Sequence, residues 1–416
     1  QYNWRELSSF NALRHPELPV FHFSIACNHC EDAPCMQNCP ALAYTRDFVT
    51  GAIIHHAESC IGCKYCTWAC PYDAPKFNKA KGIVEKCTFC VDRLHENKKP
   101  ACVDACPVDA LSYGEDEEQK EALVPGFVDV GIRPAISLIP LRTNLPPEIY
   151  NLDKTDRVEI AAVYEKPPSK VKLSKEWSLI ALTILVSTMA GWFGTHIYTG
   201  LDFPLHWFLA LSIPSIMFSS LHLGKKTRAW RAILNVKNSW LSREILTLLL
   251  FMGSGALSIM FPHPILNGFA MVMGIFCLIS IDMVYHIFIR PENLNTHSAM
   301  TLLTGFMVFS LASNIVFLIG FTISIKISLY LYRKISFRKQ TIKWKLGLSI
   351  ARLVPLFVAL VYIGSPWFYW LDSWMVLSLI GIGEVIDRIE YYDEAEVPFP
   401  KMELFEHLNK KNNAEQ

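Results

Sequence analysis

Cysteine is missing from most of this chain. Of 13 cysteines, only Cys277 lies outside residues 27–106, so the sequence divides into two halves of different chemistry. An excess of either charge is missing too: 39 Lys+Arg against 38 Asp+Glu leave a net charge of +1. That balance indicates neither a polyanionic partner nor a disordered acidic tail, and no nucleic acid is expected as a ligand. There is no P-loop, no dinucleotide glycine fingerprint after a strand and no hydrolase triad signature, so the catalytic centre for a terminal substrate is expected on another chain. No basic, apolar or small-residue leader precedes the cysteines, and the first residue is Gln1.

The cysteines that are present form three sets of four. They are CNHCEDAPCMQNCP (Cys27, Cys30, Cys35, Cys39), CIGCKYCTWACP (Cys60, Cys63, Cys66, Cys70) and CTFCVDRLHENKKPACVDACP (Cys87, Cys90, Cys102, Cys106). Each ends in C-x-x-x-C-P, and Pro40, Pro71 and Pro107 remove a donor, fix φ and turn the chain away. The middle set is the bacterial ferredoxin run, whose three close cysteines bind one cluster while the fourth reaches across to another. If the first two sets exchange their fourth ligands, Cys27, Cys30, Cys35 and Cys70 hold one [4Fe–4S] cluster, and Cys60, Cys63, Cys66 and Cys39 hold a second. Structural zinc and disulfides are the competing readings; zinc needs four ligands per site and gives no reason for C-x-x-C-x-x-C followed by C-P.

The runs SIACNHCEDAPC, CIGCKYCTWACPYDAPKFN and KCTFCVDRLHENKKPACVDACPVDAL resemble the four-cluster electron-transfer subunit of DMSO-reductase-type molybdoenzymes, over about residues 20–114. In that family a further cysteine set lies ahead of the others and pairs with the last one. The resemblance then implies that Cys87, Cys90 and Cys102 hold a cluster lacking its fourth ligand, and that Cys106 serves a cluster lacking its other three. The expectation is a sequence that starts too late, with two clusters fully liganded here and up to four if the N-terminus is restored. Loss of one ferredoxin pair is the alternative.

The cysteine-rich stretch 1–114 is expected to be an α+β ferredoxin-like iron–sulfur domain. From 115 to 176, prolines at 125, 134, 140, 146, 147, 167 and 168 with no helical period indicate an extended connector, and AISLIPL indicates that it docks. Residues 177–390 are expected to be an all-α polytopic transmembrane bundle, and 391–416 a polar tail. Uncharged runs at 177–199, 203–224, 245–281 (two helices broken at FPHP) and 299–325, with helices near 346–364 and 371–388, give about seven spans, or eight if 299–332 adds a partial crossing. Trp367, Phe368, Tyr369 and Trp370 form a cluster of membrane-interface type. Basic residues precede the first span (Lys166, Lys170, Lys172, Lys175) and six more lie from Lys225 to Arg243, which places the iron–sulfur module and that loop on one side. The basic run Lys326–Lys345 falls on the opposite face if there are seven spans, so the side is left open.

SSLHLGKKTRAWRAILNVKNSWLSREI and GEVIDRIEYY are similar to the anchor subunit of the same enzymes. In that family the His of HLG and the Glu opening the next helix are linked to quinol oxidation, which implies His222 and Glu244. Quinol oxidation releases two protons and two electrons and needs a base near water. A helix-capping His222 and a lysine-paired Glu244 are the plainer readings. Tyr285 and Glu384 are further candidates for a proton path, against satisfied bundle contacts, as are Asp282 and His286. A haem-binding anchor is the rival; His196, His206, His222, His263, His286 and His297 lie mostly near span ends, and Cys277 reads as a small apolar residue.

The whole is read as an iron–sulfur subunit fused to its anchor. It would sit as a multi-pass protein among the lipids of the prokaryotic cytoplasmic membrane, oxidise menaquinol or ubiquinol from the quinone pool, and pass electrons to a molybdopterin catalytic subunit such as a DMSO, S-oxide or related reductase. The same wire run backwards, as a formate-dehydrogenase-type quinone reductase, is one alternative. A redox-driven pump is another, and would need a chain of charged residues through the bundle.

Overall fold

The computed structural model describes residues 3–10, 21–114, 131–137, 173–286, 297–338, 346–364 and 373–394. The connector outside 131–137 and 173–176, the aromatic cluster Trp367–Trp370 and the tail beyond Glu394 lie outside the described residues. The chain divides near residue 170 into two compact units.

The first unit strings the three cysteine sets between antiparallel hairpins. Strands β1 (Glu6–Phe10) and β2 (Phe21–Ile25) pair with Glu6 opposite Ile25. Strands β3 (Tyr44–Arg46) and β4 (Ile53–His55) pair between the first and second sets, and β5 (Lys76–Asn78) and β6 (Ile83–Glu85) between the second and third. Four one-turn helices carry cysteines or follow them: α1 (Pro34–Gln37), α2 (Tyr65–Ala69), α3 (Val91–His95) and α4 (Ala101–Asp104). The core between them is made of small or flat residues such as Ala33, Ala43, Ala52, Ile53 and Tyr65, all buried, which lets the backbone pass close to the cysteines.

The described part of the second unit is built of helices. Among the described residues it runs α5 (Leu173–Thr199), α6 (Leu205–Leu221), a 3-10 segment (Lys226–Ile233), α7 (Trp240–Met260), α8 (Pro264–Tyr285), α9 (Thr301–Ala312), α10 (Val316–Arg338), α11 (Leu346–Gly364) and α12 (Ser373–Glu394). Among the described residues, four helical stretches are long and apolar enough to cross a membrane: Glu176–Thr199, Trp240–Met260, Pro264–Tyr285 and Val316–Ile335. Leu205–Leu221 makes a fifth if joined to the bent 3-10 segment. The break expected at FPHP is present: Pro264 opens α8, and the His263 ring accepts the Ile265 N–H.

The stretch 299–325 differs from a single crossing. It turns at 313–315, where Asn314 stands at φ +53, and α10 then runs back along α9. The pairings Ser310–Thr322 at 3.4 Å and Thr304–Lys326 at 3.0 Å fix that antiparallel hairpin. Twelve residues of α9 span about 18 Å, short of a bilayer core of about 30 Å. The extra reversal brings Arg333 beside Asp387 and Ser298, at the end of the unit where α8 finishes and α9 begins.

Close approach of α5 and α9 depends on glycine. A Cβ added to Gly191 would stand 2.5 Å from the Gly305 carbonyl oxygen, so the backbones meet with nothing between them. Phe193, Phe208 and Phe251 then fill the centre of α5, α6 and α7 in edge-to-face and tilted pairs 5.6–6.0 Å apart.

Candidate functional site

Among the described residues of the cysteine unit, two cavities are lined by cysteines. Cys27, Cys30, Cys35 and Cys70 line one, with His29 and Ile132 beside them. Cys39, Cys60, Cys63 and Cys66 line the other, with Tyr44 and His55. These are the two sets with their fourth members exchanged. None of the described cysteines is in a disulfide.

A repeated backbone device points the thiols inward. The residue before the second cysteine of each set is left-handed: His29 at φ +44, Gly62 at +70 and Phe89 at +61. The third residue after each fourth cysteine is left-handed as well: Leu42 at +51, Asp73 at +54 and Asp109 at +48. Of these six, only Gly62 adopts such a φ without cost. The strain is stored at the cysteine loops, where it folds amides toward sulfur. Ala43 N–H donates to Cys39 Sγ at 3.3 Å, Gly62 N–H to Cys60 Sγ at 3.4 Å and Phe89 N–H to Cys87 Sγ at 3.3 Å.

The electrostatics fit a cationic inorganic core. Burial, with Cys70 and Cys27 close by, pushes the Cys30 thiol up to about 12. Cys35 is raised by burial and by the same two neighbours; Cys63 is raised by burial and then by Cys39. Four buried sulfurs cannot ionise together unless positive charge lies among them, and iron supplies it. Lys86, itself buried, donates to the Ile53 and Cys87 carbonyls and lies within electrostatic reach of Cys35.

The third set keeps the loop geometry of the others but is more open. Cys87, Cys90, Cys102 and Cys106 are all half-buried, and Cys90 Sγ accepts the Ala101 N–H at 3.5 Å, where α4 begins. The Cys106 thiol is held below its ordinary value by the amides of Val108, Ala110 and Leu111. Segment 131–137, part of the expected connector, docks on the first cysteine loop: Glu31 N–H donates to the Arg133 carbonyl at 2.9 Å, Asp32 N–H to Ile132 and Ala135 N–H to Asn28.

In the helical unit, His222 is the C-cap of α6 and Glu244 lies one turn inside α7, where it is buried. Among the described residues no cation stands within ion-pair distance of Glu244. Tyr285, at the end of α8, is within electrostatic reach of Glu244 and packs edge-on against Tyr392 of α12 at 5.6 Å. Glu176 of α5 reaches Tyr285 and Tyr392 as well. Four helices thus meet at a buried patch of two carboxylates and two phenols, of which the sequence indicated Glu244 and Tyr285.

Glu384 stands apart from that patch, eight residues or about 12 Å before Tyr392 along α12. Its carboxylate is held by Arg352 at 2.7 Å, Lys326 at 2.8 Å and Arg388 at 3.1 Å. Asp387 pairs with Arg333 at 2.8 Å and Arg352 at 3.1 Å, and Glu390 with Lys334 at 2.9 Å and the Tyr330 hydroxyl at 2.7 Å. Arg388 adds a bond to Thr183, tying α12 to α5. Of these buried charges only Glu384 was anticipated, although the spacing of 384, 387 and 388 along α12 is that of one helix face.

Residues 18–116 match the family described as a 4Fe-4S dicluster domain, and residues 205–362 match the family described as DMSO reductase anchor subunit (DmsC). One chain carries both an iron–sulfur domain and a membrane-anchor domain. The dicluster domain takes in all three cysteine sets. The anchor domain begins with α6 and ends in α11, so α12 and its charges lie beyond the match. One of the chains of the anaerobic dimethyl sulfoxide reductase from Escherichia coli is 42% identical over 120 residues, covering 29% of this chain and 56% of that protein. A subunit of the sulfite dehydrogenase of Allochromatium vinosum is 36% identical over 118 residues, 27% of this chain and 49% of that one. The iron–sulfur subunit of the nitrate-inducible formate dehydrogenase of Escherichia coli is 41% identical over 95 residues, 23% and 32% respectively. The chain spans about half the length, or less, of these curated relatives.

Proposed function

We propose that the anchor domain oxidises a quinol from the pool of a prokaryotic cytoplasmic membrane and that the dicluster domain carries the electrons to a molybdopterin catalytic subunit. The terminal acceptor would be an S-oxide, N-oxide or related compound. The observation that carries this reading is the pair of cavities, each lined by four cysteines drawn from two sets. Cys27, Cys30, Cys35 and Cys70 would hold one [4Fe–4S] cluster, and Cys39, Cys60, Cys63 and Cys66 the other. Such a cluster, when bound, takes up and releases one electron at a time. The amides aimed at Cys39 and Cys60 would favour the reduced form by donating to sulfur.

At the quinol, Glu244 is the base. It is buried, has no cation beside it among the described residues, and sits one turn from the helix end, so it is placed to accept a hydroxyl proton rather than serve an ion pair. His222, at the adjoining end of α6, would take the second proton. Tyr285 and Tyr392 would wall the headgroup. Glu384, already bound by three cations, is assigned a structural part.

The test compares two reductants on the full chain in lipid nanodiscs. Glu244→Gln is expected to slow cluster reduction by a menaquinol analogue by about 100-fold, while dithionite reduces the clusters as before. Unchanged quinol-driven reduction would remove Glu244 from the site. An iron content well below about eight per chain in anaerobically purified protein would sink the two-cluster reading.

A further inference from the structure

The C-x-x-C loops that open the three sets are left-handed at the same position and differ in the side chain they present there. The second loop has Gly62 there and the third has Phe89, neither with a side-chain donor. The first has His29, buried at 5% exposure and lining the first cavity.

The proton on His29 can be placed. Its Nδ1 accepts the Ile53 N–H at 2.9 Å, and a ring nitrogen that accepts carries no hydrogen, so in the neutral ring the hydrogen is on Nε2. Ile53 is held on both sides, its N–H by the ring and its carbonyl by Lys86, and turning the ring over would lose the bond from the Ile53 N–H. His29 Nε2 is buried and meets no acceptor among the described residues. Its neighbour Asn28, 4% exposed and lining the same cavity, has an amide nitrogen in the same condition. Buried donors without an acceptor are costly and rare, and two adjoining ones on a cavity wall point to an acceptor that occupies the cavity.

We propose that His29 Nε2–H and Asn28 Nδ2–H donate hydrogen bonds to sulfur atoms of the cluster held by Cys27, Cys30, Cys35 and Cys70, and so raise its reduction potential. The inference rests on those four cysteines holding one cluster. Reduction adds one electron, from [4Fe–4S]²⁺ to [4Fe–4S]⁺, and no proton moves. The added charge spreads onto sulfur, so a fixed donor there stabilises the reduced form more than the oxidised one.

The test copies the other loops. Asn28→Ile reproduces Ile61 and His29→Phe reproduces Phe89, side chains that this backbone already carries. In the full chain, purified anaerobically and titrated by electron paramagnetic resonance, each variant is expected to keep its iron and lower the midpoint of one signal. The expected drop is about tenfold in the one-electron equilibrium, or about 59 mV. That signal is the one altered in Cys35→Ser. Unchanged midpoints in both variants at full iron content overturn the proposal. Should either variant lose iron, the unsubstituted chain decides. Labelled with ¹⁵N-histidine, its Cys35-dependent signal should show a nitrogen coupling in pulsed resonance, and absence of that coupling overturns the proposal. A Cys35→Ser chain with every cluster signal intact would instead sink the cluster assignment beneath it.

Discussion

The two units bury polar groups by opposite means. In the cysteine unit, thiols are turned inward by single left-handed residues in short loops, and no described helix exceeds five residues. In the helical unit, α10 and α12 turn lysine, arginine and carboxylate side chains inward along whole helix faces, while Phe317, Met375 and Ile382 face outward. The first arrangement is local and depends on spacing within one loop. The second is held by partners far apart in sequence: Glu384 is 32 residues from Arg352 and 58 from Lys326. Local devices can be read from one sequence, whereas distant pairings cannot.

That contrast can be broken most severely at the first unit. Cys60→Ser should remove one cluster signal and about four irons per chain and stop electron flow through the dicluster domain, while helical content, measured by circular dichroism, stays the same. A full complement of irons would mean that Cys60 is no ligand. At the second unit, Glu384→Leu leaves Lys326 and Arg388 buried without a carboxylate and Arg352 with Asp387 alone, and should cost about 3–5 kcal/mol. Thermal unfolding in detergent checks this, and an unshifted midpoint would mean that the network does not hold the bundle. Gly191→Ala forces α5 and α9 apart at the Gly305 carbonyl, for about 1–3 kcal/mol by the same assay. Arg133→Ala, whose guanidinium is half exposed between Glu31 and Asp32, should leave unfolding unchanged. It should only speed hydrogen exchange at the Glu31 and Asp32 amides, so protection equal to the unsubstituted chain would show that segment 131–137 docks without it.

Much of the architecture was legible beforehand. The exchange of fourth cysteines follows from the ferredoxin spacing, and both cavities have the corresponding linings. The FPHP break was visible because proline is favoured in the first turn of a helix and disfavoured inside one, and Pro264 opens α8. The α9–α10 turn was not, since Ser313-Asn314-Ile315 holds neither proline nor glycine and lies inside an apolar run. The left-handed residue at Leu42 gave no signal, because leucine rarely adopts a positive φ, whereas Asp73 and Asp109 are of a type enriched there and were not singled out. The acids of α12 were visible, but their cations sit on α10 and α11, and only folding pairs them. The charge chain that a redox pump would require is present in part. Each of its four carboxylates is matched to a cation, which is the pattern of a clamp between helices.

The inward-facing charges of α12 also set where the chain can drift. On a water-soluble helix the outer face accepts almost any polar residue and the inner face is restricted to apolar ones. Here the outer positions, Met375, Leu379 and Ile382, would trade freely among apolar residues, while the inner ones resist even Asp for Glu or Lys for Arg, because each must reach a fixed partner. A substitution scan of this helix would therefore return the inverse of the tolerance profile expected in solution, with the charged alphabet frozen and the greasy one interchangeable.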